Sequence, residues 1–178
     1  MFQFLVSSRG IGPLSPNFTQ SRKDKSLEIY VDADACPVKD QIVRVAERHG
    51  LTVHMVSNSW MRLAEGPLIK RVIVSEGFDA ADDWIAERAG AGDIVITADI
   101  PLADRCLKVG ADVLGPSGKP FTPDNIGTAL AMRDLMGHLR DTGEVSGNNP
   151  SFTSRDRSQF LQALETAVQR IKHRSVNS

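Results

Sequence analysis

The feature that most constrains this chain is the run LEIYVDADACPVKD, residues 27–40. Leu27, Ile29 and Val31 enclose Tyr30, and this apolar, β-branched content predicts a buried strand. Asp32 and Asp34 fall where that strand should end. Pro37 suits the first turn of a following helix, where its missing N–H would have no partner anyway. Two carboxylates between a strand end and a helix start make either a phosphate or metal site or a well-capped turn.

The alternation continues down the chain. Val38, Ile42, Val43, Val45 and Ala46 predict a helix over 37–49, stopped by Gly50. Further strands are expected over 52–57, 71–75, 93–97 and 112–114, with helices over 79–89 and 101–109. The stretch 58–70, which holds Trp60, Met61 and Leu63, reads as irregular. Strands separated by helices imply an α/β fold, with a mainly parallel five-stranded sheet in the middle of three layers and right-handed crossovers. Residues 115–125, GPSGKPFTPDN, have loop chemistry. They do not form a phosphate-binding Walker loop: Val113 stands where its first glycine belongs, and Pro120 replaces Ser/Thr. Asp124 or Asn125 can cap a helix running to Leu139. After a polar linker, Ser154 is expected to cap a last helix with the stripe Phe160, Leu161, Leu164, Val168 and Ile171. The expected organisation is an extension over 1–26, an α/β core over 27–141, and a linker with a C-terminal helical appendage over 142–178.

Charge and composition narrow the partners. A net charge of −1 creates no global field toward nucleic acid or membrane, so a polyanion would have to be held by a local basic patch. No apolar run approaches the roughly 20 residues of a membrane span. Cys36 and Cys106 are too few for a disulfide framework and fit a reducing cytoplasm. Residues 1–26 carry Phe2, Phe4, Leu5 and Val6 without a basic region before them, so a signal peptide is not expected. A disordered tail or a mis-assigned start fits. A transit peptide is the alternative, because Arg9, Arg22 and Lys23 stand in a segment with no acid before Asp24.

The chemistry lies in the acids. Asp32 and Asp34 end the first strand; Asp79, Asp82 and Asp83 open a helix; Asp99 follows the fourth strand, and Asp104 comes about a turn later. In open parallel sheets ligands bind outside the carboxyl ends of strands, where the strand order reverses. If strand four lies beside strand one, Asp32 and Asp99 face each other there. Clustered carboxylates repel one another, and Mg²⁺ or Mn²⁺, which prefers hard oxygen ligands, would relieve this. The competing explanation is capping, since Asp favours helix N-termini. It weighs most on Asp79, Asp82 and Asp83, while Asp104 can pair with Arg105 or Lys108. His49, His54, His138 and His173 form no metal spacing. Five basic residues in 151–178 (Arg155, Arg157, Arg170, Lys172, Arg174) face two acids, Asp156 and Glu165, which suits a polyanionic partner or a partner helix.

Taken together, YVDADACPV, GFDAADDWIAE, DIVITADIPLADR, GPSGKPFTPDNI and SRDRSQF resemble the YaiI/YqxD family of uncharacterised bacterial proteins. That family is similar to PIN-like nuclease domains. The resemblance implies strand order 3-2-1-4-5 and a site of Asp32, Asp82 and Asp99, with Asp104 a fourth acid and Asp34 and Asp79 additional ligands of Mg²⁺ or Mn²⁺. Arg105, Lys119, Arg155 and Arg157 are the candidates to hold the phosphates of RNA, the expected partner.

Three functions compete. The first is a metal-dependent nuclease, expected to act on RNA. The second is a phosphatase of the haloacid-dehalogenase kind, in which Asp32 is the nucleophile and Asp34 the acid. Cys36 stands where that signature carries Thr or Val. The third is a non-catalytic RNA- or protein-binding module.

Overall fold

The structure, a computed structural model, describes residues 25–63, 66–75, 77, 79–144 and 151–177. The chain runs β1 (Glu28–Asp32), α1 (Lys39–His49), β2 (Thr52–Ser57), β3 (Ile69–Ile73), α2 (Ala80–Arg88), β4 (Ile94–Ile96), α3 (Ile100–Lys108), β5 (Asp112–Leu114), β6 (Pro120–Phe121), α4 (Ile126–Asp141) and α5 (Ser154–Val176). The sheet order is β3-β2-β1-β4-β5-β6. The first five strands are parallel, as the strand–helix alternation requires, and β6 returns antiparallel along β5.

Strand alternation sorts the core into two halves. Ile29 and Val31 of β1 point, with Val53, Met55, Ile94 and Ile96, into a cluster closed by α1 and by Phe160, Leu164, Ala167, Val168 and Ile171 of α5. Tyr30, Val56, Val95 and Val113 point the other way, under Ala81, Ile85, Leu102, Ala103 and Cys106 of α2 and α3, with Ile126 at the start of α4. Helices thus cover both faces; β4 is buried throughout and β1 in its three middle residues, which is why they read as near-continuous apolar runs. Asp32, two residues on from Tyr30, belongs to the α2/α3 face.

Four sequence expectations are corrected. The segment expected to be loop contains β6, in which Leu114 pairs with Pro120 and Val113 with Phe121; proline is tolerated on this edge strand, and two residues carry no period to read. The third strand starts at Ile69 rather than Arg71, because its register is set by β2, with Val53 opposite Ile69 and Ser57 opposite Ile73. Helix α1 begins at Lys39, which leaves Pro37 in the preceding turn. Helix α5 is capped by Thr153, not Ser154: the Thr153 hydroxyl accepts from the Asp156 amide and the Asp156 carboxylate accepts from the Thr153 amide, a reciprocal capping box.

The turn before β6 fixes α5 on the sheet. Gly118 has φ +84, and a Cβ there would sit 2.9 Å from both the Gln159 oxygen and the Phe160 Cα. Among the described residues no helix is long and apolar enough to cross a membrane. The expectations for 1–24 and for 145–150 of the linker lie outside the described residues.

Candidate functional site

Three elements bring carboxylates to the carboxyl ends of β1 and β4. Asp32 closes β1. Beside it, one residue past the β1–β4 pairing of Val31 with Ile96, stands Thr97, only 1% exposed. Its hydroxyl donates to Asp32 Oδ2 at 3.1 Å and accepts from the Asp99 amide at 2.9 Å. Asp99 is the N-cap of α3, its Oδ1 accepting from the Leu102 amide at 2.8 Å, with Pro101 in the first turn. Asp82 enters from the first turn of α2.

The electrostatics couple these carboxylates to one another. The Asp82 carboxyl is pushed up to about 6, first by burial and then by the charges of Asp99, Asp32 and Asp79, with Arg105 opposing. Asp32 is also raised, again first by burial; the Thr97 hydrogen bond counters this, Asp34 and Asp99 add repulsion, and Lys39 lowers it. Carboxylates that raise one another in this way are poised either to keep a proton or to take a cation.

The remaining candidates are distributed as follows. Asp79 holds the N-cap position of α2, yet its side chain makes no cap hydrogen bond. Exposed Asp34 accepts the Asn58 amide at 2.9 Å, which ties the end of β2 to the end of β1. Asp83 turns away to Arg105 at 2.8 Å, bridging α2 and α3. Asp104 pairs with Lys108 at 2.6 Å on its own helix, the pairing that competed with a ligand role. Lys119 sits in the β5–β6 turn. Arg155 and Arg157 lie at the start of α5, with the Arg157 guanidinium 5.5 Å over the Phe152 ring.

Thr97, Lys39 and Asn58 escaped the sequence reading. Thr97 is an ordinary strand residue by type; its place two before Asp99 and level with Asp32 is the signal that would have found it. Lys39 drew no notice because a lysine at a helix start looks solvated. Two of the histidines are engaged with other carboxylates: His49 with Glu165 at 2.7 Å and His54 with Glu28 at 3.2 Å. Cys36 and Cys106 are buried, and burial raises both thiols, Cys106 to about 12, so they behave as small hydrophobes.

Among the described residues, no three His, Cys, Asp or Glu groups are positioned, as they stand, to hold a metal ion. The donor set itself is all hard oxygen and mutually repulsive. That chemistry fits Mg²⁺ or Mn²⁺ rather than a soft or imidazole-seeking metal.

The model of the family described as "Uncharacterized BCR, YaiI/YqxD family" matches residues 30–170, from β1 into the second half of α5. The chain belongs to the YaiI/YqxD family. Its relatives include a UPF0178 protein of Parvibaculum lavamentivorans, 65% identical over 147 residues, covering 83% of this chain and 97% of the relative. A UPF0178 protein of Agrobacterium fabrum is 62% identical over 145 residues, 82% of this chain and 95% of its own length. One from Rhizobium meliloti is 62% identical over 144 residues, 81% and 99% respectively. No solved structure matches the chain. The YaiI/YqxD match takes in Asp32, Asp82, Thr97 and Asp99 together, so the whole carboxylate site lies inside the family region.

Proposed function

We propose that this YaiI/YqxD protein is a PIN-like, metal-dependent nuclease that hydrolyses the phosphodiesters of RNA. The observation that supports the reading is that Asp32 and Asp99 stand at the carboxyl ends of adjacent strands β1 and β4, where the sheet order reverses, with the charge of Asp82 coupled to both. Asp32, Asp82 and Asp99, with Asp34 and Asp79 beside them, would hold Mg²⁺ or Mn²⁺. The ion would supply charge neutralisation and Lewis acidity toward a phosphodiester oxygen. Thr97 fixes the orientation of Asp32 and ties it to the start of α3. His49 is taken up by Glu165 and His54 by Glu28, so in this reading the carboxylates themselves would orient the attacking water. Lys39 and Arg105, the cations that act on Asp32 and Asp82, would draw in a phosphate, Arg105 by leaving its partner Asp83.

Purified protein incubated with single-stranded RNA should produce 5′-phosphate ends in Mn²⁺ and none in EDTA, and Asp32→Asn should abolish cleavage. Absence of cleavage of RNA and DNA in Mn²⁺, or full activity of Asp32→Asn, overturns the reading. A phosphorylated Asp32 trapped from a small phosphorylated substrate would replace it with phosphatase chemistry.

A further inference from the structure

The loop leaving β2 presents an aromatic ring that the fold does not use. Met61 and Leu63 in this loop pack against the core shared by α1 and α5. Trp60, beside Met61, remains 68% exposed. Its ring is not bare: the Arg71 guanidinium of β3 stands 5.4 Å from its centroid, within cation–π range. Trp84, by contrast, is packed against Tyr30 and His54 and covered by Arg88 at 4.2 Å.

Position gives the pair a meaning. The loop starts at the carboxyl end of β2, and its first residue, Asn58, donates its amide to Asp34. In the sheet, Asp32 is level with Val56, and Val56 with Val72, the neighbour of Arg71. Two strand spacings, about 10 Å, therefore separate β1 from β3. Arg71, level with Met55, lies on the α1 side of the sheet, whereas Asp32 lies on the α2 side. Trp60 follows two residues after Asn58, whose amide is tied to Asp34, so the loop carries the ring away from the acidic end of β1 past the end of β2. The tract 58–75 is locally basic, with Arg62, Lys70 and Arg71 against Glu65. Of these, Arg71 projects to the α1 side beside Trp60 and Lys70 to the other face of β3, level with His54.

We propose that Trp60 and Arg71 form a stacking platform for an unpaired base of single-stranded nucleic acid whose backbone runs to the Asp32 site. The platform rests on the nuclease reading for its substrate class. With the Arg71 guanidinium over one face, the other face of the indole would stack any base, so it binds without reading sequence.

The test uses the full chain in EDTA, so that binding is seen without cleavage. The sequence contains two tryptophans, so Trp84→Phe leaves Trp60 as the sole indole. Its fluorescence should be quenched on titration with an oligouridylate of about eight nucleotides, a length within a typical single-strand site. In the otherwise wild-type protein, anisotropy of the labelled oligonucleotide should show Trp60→Ala binding about tenfold more weakly, the order expected for one lost stack. Trp60→Phe should retain most of the affinity, and Arg71→Ala should lose part of it. No quenching, or equal affinity for Trp60→Ala and wild type, overturns the platform. Hydrolysis of bis(p-nitrophenyl) phosphate by the wild type in Mn²⁺ tests the nuclease chemistry separately. Trp60-dependent binding without such hydrolysis leaves the platform standing and removes the nuclease, whereas hydrolysis with Trp60-independent oligonucleotide binding does the reverse.

Discussion

The Thr97 hydroxyl donates to Asp32 Oδ2 across 3.1 Å and so joins the carboxyl end of β4 to the carboxyl end of β1. Because Thr97 is 1% exposed and also accepts the Asp99 amide, water cannot easily replace it. Thr97→Val keeps the shape and removes both hydrogen bonds. It should cost about 1–3 kcal/mol, the range for leaving buried polar partners unsatisfied. Thr97→Ser should recover most of that stability in urea unfolding at pH 7. A valine variant as stable as wild type would show that the hydroxyl contributes nothing to the junction.

Asp99 has two separable roles, cap and charge. Asparagine caps helices as well as aspartate does, so Asp99→Asn should keep the bond to the Leu102 amide and relieve repulsion on Asp32 and Asp82. Its melting temperature should be unchanged or higher than wild type without metal. Asp99→Ala should lose about 1 kcal/mol through the missing cap. Both should weaken Mn²⁺ binding in a calorimetric titration. Equal destabilisation by Asn and Ala would mean that the Asp99 charge itself supports the fold.

Asp82 predicts a pH dependence. Its folded-state pKa is raised from 3.8 to about 6, so between these values the folded state holds more protons than the unfolded one. Stability contributed by protonated Asp82 is present below about pH 4 and is lost as pH rises through about 6. The difference in melting temperature between wild type and Asp82→Asn should therefore grow from pH 4 to pH 7, with the Asn variant increasingly the more stable. Saturating Mn²⁺ should shrink that difference at pH 7, because a bound cation relieves the same repulsion. A difference that stays flat with pH would place Asp82 outside the cluster.

Gly118 should be intolerant of any side chain. Its φ of +84 and the 2.9 Å approach of a would-be Cβ to the α5 backbone act together. Gly118→Ala should destabilise by more than about 1 kcal/mol, the ordinary scale for alanine at positive φ. Hydrogen exchange should rise in α5 around Phe160 before it rises in α2. Gly143, at φ +76 with nothing within 4 Å of a Cβ, is the control for the backbone term alone and should cost less.

The sequence by itself determined the α/β alternation and the places of Asp32 and Asp99 at the ends of two strands. Strands β1, β2 and β4 are buried on both faces, and that burial writes itself as apolar, β-branched runs. Val38 to Ala46 shows the helical period because one side of α1 meets the core. Asp32 and Asp99 were legible because each follows such a run. Other features were decided only by the folded chain. In α2, Asp82 turns toward the carboxylates while Asp83 turns out to Arg105, since successive helical residues point about 100° apart and the sequence around them carries no strong phase. Asp104 was in reach of two cations, and the helix geometry gave it to Lys108 four residues on. β6 exists because β5 offers it an edge to pair with, not because two residues prefer to be strand. The role of Thr97 arises from a register between strands 65 residues apart, and no local preference records it. Local sequence encodes burial and period, but the meeting of Asp32, Thr97, Asp82 and Asp99 depends on which strands become neighbours, and that is settled by packing the whole sheet between its two layers of helices.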